Sequence, residues 1–253
     1  MKIGAQLYTV RDYTKNLDDF AETLKKIADI GYTTVQVSGT CAFEADWLKE
    51  QLDKTGLTCA ITHTNQTRVA EDTEAVIAEH KVFGCDYIGL GSIPWELHIN
   101  PAGLDAFVEM YAEAAKKICA AGMKLMYHNH GFEFTKANGV TFLERLARAF
   151  PAEELGFTLD SYWVQYGGGD PAQFAEKLAG RIDCVHVKDM QFINNTQQMA
   201  YIGEGNINFD RFLSACEVGG TKYVLVEQDD CQNRDPFWCL KKSYETLTAM
   251  GLK

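Results

Sequence analysis

Several polar residues stand directly behind short apolar runs in this sequence. They are His128, Asn129, His130 and Glu133 in YHNHGFEF, Asp160 at the end of FTLD, His186, Lys188 and Asp189 in VHVKD, and Glu227, Gln228 and Asp229 in VEQD. Gln6, Arg11 and His63 hold similar places nearer the start of the chain. One histidine with several carboxylates suits a divalent cation, since mixed imidazole and carboxylate donors accept Mn²⁺, Co²⁺, Mg²⁺ or Zn²⁺. Acids that converge without a cation repel one another and raise each other's pKa. A cation removes that cost, and it also polarises a carbonyl or alkoxide oxygen beside a carbon that is being deprotonated. The metal-free alternative is a carboxylate pair of the kind that hydrolyses glycosides.

Each residue also has a plainer reading. His186 alternates with Val185 and Val187, so it faces the opposite side from them, and a core histidine with satisfied hydrogen bonds would look the same. Asp160 could cap the helix that follows, Glu227 could form a surface ion pair, and the histidines of HNH could bond to backbone. Glu133 lies past its apolar run, in a loop. His80 and His98 fall in a helix and a loop and are expected at the surface. Tyr8, Trp95, Phe132 and Trp163 could form an apolar wall for a sugar ring or could simply pack.

The apolar runs that carry these residues recur along the chain. KIGAQLYTV, TTVQVSG, LTCAITH, YIGLGS, KLMYHNH, LGFTLDSYWV, IDCVHVKD and KYVLVEQD begin near residues 2, 33, 57, 87, 124, 155, 182 and 222. That spacing fits βα units of about 30 residues. Stretches with helical periodicity lie between them. In LDDFAETLKKIADIG, Leu17, Phe20, Leu24, Ile27 and Ile30 recur three or four apart and Gly31 closes the helix. The same grammar returns in ADWLKEQLDKTG, DTEAVIAEHKVFG, LDAFVEMYAEAAKKICAAG and VTFLERLARAF. Strands alternating with helices imply a parallel sheet, and eight such units imply an α/β fold of the (β/α)8 TIM-barrel type, as a single domain over residues 1–253. A doubly wound open sheet is the alternative, but its first strand would usually lead into a glycine-rich turn, and here it leads into LYTVRD. Gly167–Gly169 reads as a turn. In a barrel the active site forms at the C-terminal ends of the strands, where the polar residues above cluster.

Composition narrows the classes. The chain has 253 residues, 46% hydrophobic and 23% charged, which is ordinary for a globular protein and excludes a disordered one. No apolar run approaches the roughly 20 residues that span a bilayer. The N-terminus MKIGAQLYTVRD has no apolar signal region, so a cytoplasmic location is expected. Acids outnumber bases 35 to 24, a net charge of −11, which disfavours nucleic acid as a partner. The eight cysteines form no CxxC pair and several sit in apolar runs, so free, buried thiols are expected. A homo-oligomer is compatible with all of this.

Taken together, QLYTVRD, YHNHGFEF, LDSYWVQYGGGDP, VHVKDM, GEGNINF and VEQD resemble the sugar phosphate isomerase/epimerase family of the xylose-isomerase-like TIM barrels. The resemblance spans nearly the whole chain. It implies a divalent metal, most often Mn²⁺, held by Glu133, Asp160, His186 and Glu227. Relatives with a glutamate on the fifth strand itself leave His128 or His130 as an alternative first ligand here. Glu133, Glu227, His128, His130 and Lys188 become candidate catalytic groups, with Lys188 stabilising an oxyanion. Gln6, Arg11, His63, Trp163 and Glu204 become candidate substrate contacts. The implied chemistry removes a proton α to the carbonyl of a ketose or keto-polyol and passes through an enediolate to isomerisation or epimerisation. The alternative is a lyase, dehydratase or hydratase acting on a 3-keto-glycoside or inosose, in which a β-leaving group departs. A DNA-repair endonuclease and a non-catalytic sugar binder share the fold; the acidic charge argues against the first, and Asp160, His186 and Glu227 against the second.

Overall fold

The computed structural model describes residues 1–252. Each of the eight apolar runs forms a strand: β1 (Lys2–Gln6), β2 (Thr34–Val37), β3 (Thr58–His63), β4 (Tyr87–Leu90), β5 (Lys124–His128), β6 (Leu155–Asp160), β7 (Cys184–Val187) and β8 (Tyr223–Val226). All neighbours pair in parallel, and β8 closes against β1 through Lys2 opposite Tyr223 and Ala5 opposite Val226. The expected (β/α)8 barrel is therefore the fold. Around it lie α1 (Leu17–Ile30), α2 (Ala45–Thr55), α3 (Gln66–Glu71), α4 (Thr73–Val82), α5 (Pro101–Ala120), α6 (Phe142–Ala149), α7 (Ser161–Tyr166), α8 (Pro171–Lys177), α9 (Phe209–Val218) and α10 (Pro236–Ala249). None of these helices is long and apolar enough to cross a membrane. All eight cysteines are free.

The periodicity of α1 has its physical counterpart in packing. Phe20, Leu24 and Ile27 are fully buried against the barrel, while Asp18 and Asp19 sit in the first turn, where the helix dipole favours acids. The outer core lies between this helical ring and the sheet. A second, smaller core fills the barrel, where Ile61, Met126, Cys184 and Leu225 meet. Small residues make that filling possible. A Cβ on Gly4 would lie 2.6 Å from Leu225 Cδ2, and one on Gly156 would lie 2.6 Å from Met126 Sδ. Two glycines thus give two large side chains the barrel axis.

An ionic network plugs the N-terminal end. Asp183 receives Lys124 at 2.8 Å, Lys222 at 3.0 Å and the Tyr87 hydroxyl at 3.0 Å. At the opposite end the connections are more elaborate than periodicity suggests. After β7 the chain folds into a hairpin, Asp189–Ile193 against Thr196–Ala200, turned by Asn194 and Asn195 at φ 50° and 60°. Paired left-handed residues of this kind match the twist of a two-residue hairpin turn. The Asp189 carboxylate then accepts the N–H groups of Gly203, Gly205 and Ile207 and ties down the following loop. That is the structural use of the GEG segment: a Cβ on Gly205 would lie 2.4 Å from Asp189 Oδ1.

His80 departs from expectation. It is buried rather than at the surface, with Nδ1 donating to the Val76 carbonyl at 2.7 Å and Nε2 2.8 Å from the Thr62 hydroxyl. Val76, His80 and Phe83 share one face of α4 and its end, and that face meets the barrel. His98 is exposed, as expected.

Candidate metal centre

Strand register assembles the site. Asp160 lies opposite His186 across β6 and β7, and His128 opposite Thr158 across β5 and β6. Glu227 and Lys188 each follow the last residue of a strand with side chains turned inward. The result is a buried group of four, His128, Asp160, His186 and Glu227, each offering one donor atom, all within 4.8 Å of one another. His186 Nδ1 is 3.0 Å from Glu227 Oε2 and 3.5 Å from Asp160 Oδ2, and His128 Nε2 is 3.4 Å from Asp160 Oδ2.

The far sides of both histidines explain why these atoms face inward. His186 Nε2 donates to Gln36 Oε1 at 2.7 Å. His128 Nδ1 donates to the Gly91 carbonyl at 3.0 Å. An oxygen acceptor on one ring nitrogen fixes a proton there and leaves the other nitrogen to bind a proton or a metal ion. The inner nitrogens, His186 Nδ1 and His128 Nε2, therefore face two carboxylate oxygens, where each can carry a proton or meet a cation. Within that group His186 Nδ1 and Glu227 Oε2 lie 3.0 Å apart without the alignment of a hydrogen bond, and the Lys188 ammonium stands 2.8 Å from the same oxygen. Buried acceptors facing acceptors are costly unless a cation, or a proton, sits among them. The donor set of two imidazoles and two carboxylates fits a divalent ion of the Mn²⁺, Co²⁺ or Zn²⁺ kind.

Asp160 serves two purposes at once. Its Oδ1 caps α7 by accepting the Trp163 N–H at 2.9 Å, which leaves Oδ2 for the cluster. Its own N–H donates to Asn129 Oδ1 at 3.0 Å. The capping alternative and the ligand reading are thus both supported, one by each oxygen.

Lys188 is wholly buried beside the group. Its Nζ is 2.8 Å from Glu227 Oε2, 2.9 Å from Asp229 Oδ2 and 3.3 Å from Asp160 Oδ2. Burial opposes charge on Asp160 and Glu227, but the Lys188 ammonium outweighs it and holds both carboxyls well below the usual range. Burial likewise opposes charge on His186, and Glu227 and Asp160 outweigh it, raising that imidazole to about 9. For Asp229 burial and the charge of Glu227 win, and its carboxyl is pushed up to about 6. Burial drives the other way for His130, to about 3, and the neighbouring His128 adds to the effect. His63 is also held well below its ordinary value by burial and by His128 and His186.

These residues line a cavity of about 300 Å³ at the C-terminal end of the barrel. Its walls include Tyr8, Ser38, His63, His128, His130, Trp163, Lys188, Glu227 and Asp229. Small-molecule sites begin at about this size. His63, His128, His130, Trp163, Lys188 and Glu227 are therefore brought together.

Other expected residues stand elsewhere. Glu133 is buried outside the group of four, with one oxygen accepting from the Tyr127 hydroxyl at 2.6 Å and the other from the His130 N–H at 2.8 Å. Burial pushes its carboxyl up to about 7. Gln6 lies under the first loop, accepting the Tyr8 N–H. Arg11 donates to the carbonyls of Tyr8 and Asp229 and lies over the Tyr8 ring, 4.4 Å from its centre. Glu204 pairs with Arg234 at 2.7 Å. None of these four lines the cavity. Of the aromatic wall, Tyr8 and Trp163 take part, Phe132 stacks on His130, and Trp95 stands 88% exposed. Gln36 and Ser38 were not anticipated. Gln36 shares the inward face of TTVQVSG with Thr34, two residues before it.

The fold and the cluster define a (β/α)8 barrel with a two-histidine, two-carboxylate centre at the end where barrel enzymes carry their sites. The chain belongs to the xylose isomerase-like TIM barrel family, whose model matches residues 24–236. It is 22% identical over 192 residues to an inosose dehydratase of Geobacillus kaustophilus (strain HTA426), a match covering 67% of this chain and 62% of that protein. Among solved structures, a sugar phosphate isomerase/epimerase from Parabacteroides distasonis ATCC 8503 superposes with a TM-score of 0.83 at 22% identity, covering 99% of this chain and 94% of that one. The IOLI protein, solved with a bound zinc atom, gives a TM-score of 0.74 at 16% identity over 98% of this chain and 97% of its own. At these identities the structural likenesses speak for the fold.

Proposed function

We propose that this protein is a divalent-metal-dependent isomerase or epimerase acting on a ketose or keto-polyol through an enediolate. One observation carries the reading: two histidines tied by their outer nitrogens turn their inner nitrogens to two buried carboxylates, all four donor atoms within 4.8 Å of one another, beside a cavity of small-molecule size. His128, Asp160, His186 and Glu227 hold the ion in this reading, with Mn²⁺ first among the candidates. When bound, the ion supplies electrophilic stabilisation of negative charge on a substrate oxygen.

The remaining steps belong to side chains of this chain. Asp229 stands on the cavity wall outside the group of four, a position from which a carboxylate can take a proton from carbon and return it. His130 is the second candidate for proton transfer, because it lines the cavity uncharged and its Nδ1 has no partner. Lys188 lines the cavity with a positive charge that would stabilise an enediolate oxygen formed there. Trp163 and Tyr8 offer apolar faces to a sugar ring. Gln6 and Arg11 act through the loop that carries Tyr8, and Glu133 holds the HNH segment in place by accepting from Tyr127 and His130.

The inosose dehydratase relative favours a second outcome from the same proton abstraction, loss of a β-hydroxyl from an inosose. One experiment addresses both readings. The protein is incubated in deuterated water with a panel of ketoses and inososes, with Mn²⁺ and after chelation. Deuterium entering α to the carbonyl, with a ketose product and loss of exchange on chelation, is expected. Exchange followed by dehydration would move the assignment to the lyase. No exchange with any substrate, with or without Mn²⁺, would overturn the enediolate reading.

A further inference from the structure

Lys188 stands where a divalent ion would be least welcome. Its Nζ reaches Asp160 Oδ2 and Glu227 Oε2, the same two oxygens that face His128 and His186. A third carboxylate, Asp229, lies 2.9 Å from the same ammonium and stands on the cavity wall rather than in the group of four. Lys188 is fully buried, with its aliphatic stem among the strand ends and its head 5.4 Å from the centre of the Trp163 ring. A buried carboxylate pair without a counter-charge is strongly unfavourable, and the Lys188 ammonium is in contact with an oxygen of each.

We infer that Lys188 is a built-in counter-cation for the metal seat, which a divalent ion displaces from Asp160 and Glu227 toward Asp229. The inference rests on the reading of His128, Asp160, His186 and Glu227 as metal ligands. It gives the lysine two positions and Asp229 the task of receiving it. Two consequences follow from charge alone. The metal-free protein keeps its carboxylates compensated and the site prealigned. Metal affinity is set lower than the four ligands alone would give, because the arriving ion must move one positive charge aside and then tolerate it nearby.

The test is Zn²⁺ titration of the chelator-treated full chain, by competition with a chromophoric chelator, alongside thermal unfolding with and without Zn²⁺. Lys188→Met is expected to tighten Zn²⁺ binding by about tenfold or more, since a unit charge a few ångströms away is removed. The metal-free variant is expected to melt below wild type and to gain more on adding Zn²⁺. Asp229→Asn is expected to weaken Zn²⁺ binding in the wild-type background and to lose most of that effect when combined with Lys188→Met. Lys188→Gln serves if the methionine variant does not fold without metal. Equal or weaker Zn²⁺ binding by the folded Lys188 variants, with wild type binding normally, would overturn the inference and leave the metal reading standing. Failure of wild type and variants alike to bind Zn²⁺ would overturn the metal reading and this inference with it.

Discussion

The two ends of the barrel carry charged clusters of opposite design. At the N-terminal end Asp183 is flanked by Lys124, Lys222 and the Tyr87 hydroxyl, so the single acid is fully paired. Lys124 and Lys222 overcome the effect of burial and hold the Asp183 carboxyl below its ordinary range. At the C-terminal end three carboxylates share one lysine, and the inner nitrogens of two imidazoles face carboxylate oxygens. The first cluster is complete within the protein; the second leaves His186 Nδ1 without a hydrogen-bond partner. Similar residue types thus make a paired plug at one end and, at the other, a group whose donor atoms could hold a metal ion, and the difference lies in which polar atoms are left without partners.

That contrast can be broken most severely at Asp160. Asp160→Asn keeps an oxygen to cap α7 but removes the charge from the cluster. Turnover is expected to fall by about 10³-fold, the scale of losing a principal electrostatic stabiliser. Elemental analysis should show the metal lost, while circular dichroism shows the fold kept.

A pH profile tests a buried histidine outside both clusters. Burial lowers His80 to about 4, whereas the unfolded value is near 6.5. The folded pKa is depressed, so unfolded chains bind the extra proton first. The His80 contribution is whole above pH 6.5 and is lost as pH falls toward 4, by about 3 kcal/mol in total. Urea unfolding across that range should show the slope, and His80→Gln should flatten it. A slope unchanged in the variant would mean that His80 does not carry it.

Gln36→Met sharpens the comparison from the second strand. It frees His186 Nε2 and lets the ring turn or change tautomer, so metal affinity should fall by about 10–100-fold, the usual cost of removing such a partner. Gln36 is itself fully buried, and little change in stability beyond the loss of one hydrogen bond is expected.

The smallest effect belongs to the plug. Asp183→Asn should lower stability by about 1–2 kcal/mol in chemical unfolding, because Lys124 and Lys222 lose their shared partner. Metal binding should stay at the wild-type level. A change in metal binding there would show that the two ends are coupled and would dissolve the distinction between them.

Much of this architecture is legible in the sequence, because strand and helix periods survive in the apolar pattern. All eight strands fall where apolar runs stop at polar residues, and Asp160, His186 and Glu227 converge as their places in FTLD, VHVKD and VEQD suggest. What periodicity does not encode is the path of the loops. Glu133 lies two residues inside a short 3₁₀ turn whose geometry sends its side chain to Tyr127, away from the cluster, and His128 takes the fourth place. Glu204 is a candidate substrate contact because the GEG segment resembles a loop that reaches the substrate in relatives; here Glu204 pairs with Arg234, and its neighbouring glycines serve Asp189. His80 was misjudged for a different reason. It is polar by type, yet it continues the apolar face set by Val76 and Phe83, and that spacing outweighed its chemistry.

The divided duty of Asp160 has an optical consequence. The backbone of Trp163 is hydrogen-bonded to the same carboxylate that faces the cluster, and its indole lies 5.4 Å from the Lys188 ammonium and 5.3 Å from the His130 ring. Charge arriving in the cluster, or leaving it, changes the field across that indole without any need for the barrel to move. Trp163 is therefore a native fluorophore wired to the centre, and its emission can report loading of the site in solution before any substrate is known.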